Sequence, residues 1–123
     1  MSNKLQSILT EALEHCSSAS KPSLNKIKFG KTQYVSVPLF VEYYNNAYSY
    51  NEMMIDYRKY NYNDLVDMFI KNVYSDKEMI AIINNYLLDP SDEKLLLEFN
   101  EMQAVRKEAK NLAKQLLTDY PMI

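Results

Sequence analysis

Apolar residues recur at steps of three and four along most of the chain. Leu5, Ile8, Leu9, Ala12, Leu13 and Cys16 fall on one helical face, so a helix is predicted over 3–16, with Ser2 or Asn3 as its cap. The run SSASKPS at 17–23 breaks that pattern and reads as a loop. Residues 25–37 favour extended backbone through Ile27, Phe29, Tyr34, Val35 and Val37. The stretch 26–37 reads either as a small β-hairpin turning at Gly30-Lys31, with Ile27 opposite Tyr34, or as an irregular arm.

From Ser36 onward the pattern reads helical. Helices are predicted near 38–48, 50–60, 64–74, 76–88 and 92–119. Ser36 and Pro38 suit a first turn, and Asn61 or Asn63 suits a cap. Ser49 with Glu52, and Ser75 with Glu78, have capping-box spacing. The 64–74 helix is apolar except for the strip Asp64, Asp67 and Lys71, and 76–88 is nearly as apolar; these two are expected to form the core. The last helix carries one narrow seam, Leu95, Phe99, Met102, Val105, Ala109, Leu112 and Leu116, close to a heptad. It would run roughly 40 Å at about 1.5 Å per residue, so it either lies across its own domain or protrudes and meets another chain. The expected fold is thus mainly α: residues 1–123 as a single helical domain, a compact bundle of five to six helices with the small hairpin and a long C-terminal helix.

Composition narrows the chemistry. One glycine rules out a Gly-rich phosphate loop. The single histidine, His15, neighbours the single cysteine, Cys16; adjacent helical residues diverge, so they form no nucleophile–base pair, and His15 reads as a cation at a helix C-terminus. Asp64/Asp67 and Glu98/Glu101 have the spacing of solvated helical faces. No catalytic residue, metal or cofactor is expected. No run of about 18 apolar residues spans a membrane, and the N-terminus lacks signal-peptide character. The cytoplasm is the expected compartment, or the host cytoplasm or virion for a phage or viral protein. Heavy use of Asn, Lys, Tyr and Ile fits A/T-rich codons, and hence a phage, viral or mobile-element accessory, assembly or inhibitor protein.

The tyrosines give the functional expectation. Eight of the eleven lie between Tyr43 and Tyr74, more than one small core can hold as helical stripes. Tyrosine tolerates partial exposure and is enriched at protein interfaces. A non-catalytic protein-binding module is therefore expected, using Tyr44, Tyr48, Tyr50, Met54 and Tyr62 toward a partner, with self-association along Phe99, Met102, Val105, Leu112 and Leu116. The alternative is a nucleic-acid-binding regulator. Residues 15–41 hold four lysines and no acid, so Lys26, Lys28 and Lys31, flanked by Phe29 and Tyr34, would touch phosphates together with Lys107, Lys110 and Lys114 beside Arg106. A net charge of −2 and the acids Asp64 and Asp67 on the helix that would enter a groove weigh against it.

Overall fold

The computed structural model describes residues 3–122. In order these form α1 (Lys4–Ala12), β1 (Glu14–Ser18), β2 (Asn25–Phe29), β3 (Thr32–Tyr44), β4 (Ala47–Asp56), a 3-10 turn (Tyr57–Lys59), α2 (Tyr62–Lys71), α3 (Asp76–Leu88) and α4 (Glu93–Asp119). The strands make one antiparallel sheet in the order β1-β4-β3-β2. The fold is α+β, which corrects the expected all-α bundle of five to six helices: the stretches predicted as helices over 38–48 and 50–60 are β3 and β4.

Local chemistry explains the difference. Asn45 and Asn46 both sit at positive φ, 56° and 63°, the geometry of a two-residue type I′ turn between antiparallel strands. Asn51, Met53 and Ile55 are buried at every second position of β4, and the register sets Leu39, Val37 and Val35 of β3 opposite them. Ser49 and Glu52 have the letters of a capping box, yet they pair across the sheet with Ser17 and Glu14. The same letters at Ser75 and Glu78 do form the reciprocal cap of α3. The first helix stops at Ala12 because the next residues pair with β4, which moves His15 and Cys16 from a helix end to a strand. The β2–β3 hairpin turns at Gly30 with Ile27 opposite Tyr34, the first of the two readings its sequence allows.

One face of the sheet builds the core. Val35, Val37, Leu39, Met53 and Ile55 meet Leu5 and Leu9 of α1, Leu65 and Phe69 of α2, and Met102, Val105, Ala109, Ala113 and Leu116 of α4. Helix α3 is not central, contrary to its apolar pattern. None of its residues is buried; Met79, Ile82 and Ile83 are half-covered, and Tyr86 stacks on Phe99 of α4 at 4.3 Å. Asn51, buried among apolar neighbours, donates its Nδ2–H to the carbonyl of Thr10 at 3.4 Å, one of the orphan carbonyls at the end of α1. Lys4 ties the other end of α1 down. It pairs with Glu101 at 2.9 Å, donates to the Tyr74 hydroxyl at 3.2 Å and is held above the usual lysine pKa, chiefly by Glu101.

Candidate functional site: the outer face of the sheet

Helices cover only the inner face. Strand alternation and register assign Tyr48, Tyr50 and Met54 of β4, Tyr34, Ser36 and Pro38 of β3, Cys16 and Ser18 of β1, and Ile27 and Phe29 of β2 to the outer face. A bulge between Leu39 and Glu42 inserts one residue into β3, so Tyr43 rather than Glu42 comes opposite Tyr48. Their rings lie 4.6 Å apart.

Residues 19–24 connect β1 and β2, which occupy opposite edges of the sheet, so this segment must cross it. It crosses on the outer side. Lys21, Pro22 and Ser23 border Ser36, Pro38, Tyr50 and Glu52, and Ser36 and Pro38 are buried although they face outward. The strap divides the face. Toward the β3–β4 tip stand Tyr43 and Tyr48, with Tyr44 at 79% exposure beside the turn. On the other side lie Phe29, Tyr34, Ile27 and Met54. Phe29 and Tyr34 pack edge to face at 5.9 Å, and Phe29 and Met54 remain 59% and 47% exposed.

Three of the five expected partner-binding residues, Tyr48, Tyr50 and Met54, share this face. Tyr44 stands at the turn with the opposite alternation, opposite Ala47. Tyr62 opens α2, half-buried against the core, and belongs to no common surface with the others. The sequence reading set Phe29 and Tyr34 beside the lysines rather than on this face, and it missed Tyr43, which only the bulge in β3 turns to the side of Tyr48.

The expected self-association seam is occupied within the chain. Met102, Val105 and Leu116 are buried in the core, with Phe99 and Leu112 packed against it. The helix therefore lies across its own domain.

The lysines do not assemble one basic surface. Lys26 and Lys28 pair with Val35 and Gln33, so they alternate to the side opposite Phe29 and Tyr34; Lys26 Nζ sits 5.6 Å from the Tyr57 ring centre instead. Lys31 is in the tight turn, and Lys107, Lys110 and Lys114 are exposed on α4. Glu14 and Glu52 border the outer face, with Lys21 of the strap near Glu52, and Asp56 is paired with Arg58 at 2.8 Å.

Burial, then the nearby Glu52 and Glu14 carboxylates, push the Cys16 thiol up in pKa, so it stays protonated. Burial, then Cys16 and Glu52, do the same to the Tyr50 phenol. His15 Nε2 lies 3.2 Å from the Ser49 hydroxyl. Among the described residues no three His, Cys, Asp or Glu side chains converge as a metal site would require, and no helix is long and apolar enough to cross a membrane. Comparison with family models, with curated proteins and with solved structures finds no match to this chain.

Proposed function

We propose that the protein is a non-catalytic binding module whose outer sheet face docks another protein. The observation that supports this reading is the uncovered aromatic and methionine surface on both sides of the 19–24 strap: Phe29, Tyr34 and Met54 on one side, Tyr43 and Tyr48 on the other. Grouped exposed apolar side chains on a small chain mark an interaction surface, and tyrosines give large contact area at low rotamer cost. Glu14 and Glu52, opposite each other on β1 and β4, favour a partner with a basic group beside its apolar centre. Nucleic acid is less well supported, because Lys26 and Lys28 alternate to the side opposite Phe29 and Tyr34.

Affinity capture from the native source tests the proposal with two variants. Phe29→Ser with Met54→Ser removes one half of the face. Leu88→Asp, at a leucine 85% exposed at the α3–α4 turn, is the control. A protein captured by wild type and by the control, and lost with the face variant while circular dichroism and melting stay native-like, supports the reading. Equal capture by all three refutes it.

A further inference from the structure

A second feature lies on α3, whose apolar residues form two faces. Met79, Ile82, Ile83 and Tyr86 turn toward the core and α4, where Tyr86 stacks on Phe99. Ile80 and Leu87 do not. Seven residues apart, they fall on one line, about a third of a turn round the helix from the inner face, and both are more than half exposed. Asn84 lies between them on the same line, four residues from one and three from the other, and is also exposed. Helix α3 packs chiefly on α4, which leaves this stripe uncovered. Lys77 stands at one end of the stripe and Asp89 just beyond the other, both exposed; none of the ion pairs among the described residues uses either.

We propose that this stripe docks a second copy of the chain, α3 against α3, antiparallel about a two-fold axis beside Asn84. Three observations select that occupant. The stripe ends in opposite charges, so in an antiparallel pair Lys77 of each copy meets the Asp89 end of the other, and the two helix dipoles run opposed. A parallel pair would set Asp76 and Lys77 each against its own copy. The axis also brings Ile80 of one copy level with Leu87 of the other, twice over, so each apolar side chain is covered by the same patch that exposes it. Asn84 falls at the axis itself, and a carboxamide, donor and acceptor at once, is complementary to its own copy. An anionic membrane is disfavoured, because Asp76 and Asp89 flank the stripe with a single lysine between them. One helix face is small beside the about 1,200 Å² that stable interfaces bury, so the dimer is expected only at high micromolar concentration. Leu88 turns about 100° from Leu87 and lies off this line. The stripe shares no residue with the outer sheet face, so the two sites stand or fall separately.

Sedimentation equilibrium of the intact chain up to about 1 mM, in low salt so that charge pairs are little screened, should show the mass rising from 14.5 kDa toward twice that value. Ile80→Gln with Leu87→Gln should weaken association at least about tenfold while the melting temperature of a dilute sample stays the same. Lys77→Glu and Asp89→Lys, made singly, each set like charges together at both ends of the pair and should each weaken it about fivefold. Both changes suit the dipole of α3, so the fold should hold. Mixing the two variants puts opposite charges together again at both ends and should restore association. In a parallel pair neither single substitution would weaken it. A strict monomer at the highest concentration, association indifferent to Ile80 and Leu87, or association that neither single charge substitution weakens, overturns the proposal. So does association lost with Phe29→Ser and Met54→Ser but kept in Ile80→Gln with Leu87→Gln, an outcome that would leave the proposed docking face in place.

Discussion

Tyr60→Phe isolates one buried hydroxyl that ties the middle of the chain to its end. Tyr60 is 5% exposed, and its hydroxyl donates to the carbonyl of Tyr120 at 2.6 Å, with the Leu116 carbonyl farther off at 3.4 Å. A phenol has one proton to give, so the Tyr120 bond carries the interaction. Leu116 already accepts from the Tyr120 N–H at 2.7 Å, and Tyr120 is half-exposed, so water can reach the carbonyl left behind. The loss should stay near a single net hydrogen bond, about 1 kcal/mol, which for a chain of this size lowers the melting temperature by about 3–5 °C.

The alkaline limb sharpens the test. Burial, then the neighbouring Tyr120, pushes the Tyr60 phenol up to about 12, from an ordinary value near 10. Between those values the native state keeps a proton that the unfolded chain loses. The stability this supplies is whole below pH 10 and drains away as pH rises toward 12. Each such unit costs about 1.4 kcal/mol, so wild type should lose about 1–2 kcal/mol that Tyr60→Phe cannot lose. Lysines and the tyrosines other than Tyr60 and its neighbour Tyr120 titrate alike in both proteins and cancel in the difference. Urea unfolding followed by circular dichroism at stepped pH should show wild type the more stable at pH 8 and the two curves converging, then crossing, near pH 11. Parallel curves across that range would refute the burial of this hydroxyl against the end of α4.

Three further outcomes follow from named contacts. Met102→Ala removes a fully buried side chain from the α4 stripe and should cost about 2–5 kcal/mol in chemical denaturation. Asn46→Gly relieves a positive φ of 63° in the β3–β4 turn and should stabilise by about 0.5–1 kcal/mol, read as a higher denaturation midpoint at unchanged slope. Asp56 accepts from the Arg58 side chain at 2.8 and 3.2 Å and from its backbone at 2.9 Å, and these bonds hold its carboxyl at about 2; the stability this gives is present above about pH 4 and lost as pH falls toward 2. In Arg58→Gln an NMR titration should find the Asp56 carboxyl closer to the ordinary carboxylate range.

The chain's own letters determined whatever closes within a few residues. Asn3 caps α1 through the Gln6 N–H at 2.8 Å, Asn61 caps α2, and Ser75 with Glu78 boxes α3. Gly30 turns one hairpin, and the long seam from Phe99 to Leu116 marks α4 nearly to its ends. Each is a bond or periodicity between near neighbours, so it survives being read without the rest of the molecule. The tertiary structure decided 38–56. Tyrosine, methionine and valine there satisfy helical and alternating periods alike, and the letters of a capping box at Ser49 and Glu52 favoured the wrong one. What settles it is pairing at long range: β1 lies beside β4, more than thirty residues on, and buries one side of it only after the chain has crossed the sheet. The same long-range pairing sends Tyr48, Tyr50 and Met54 outward while it encloses Tyr62 and the α4 seam, because which side of a strand meets solvent depends on register, and register is set by partners distant in the chain.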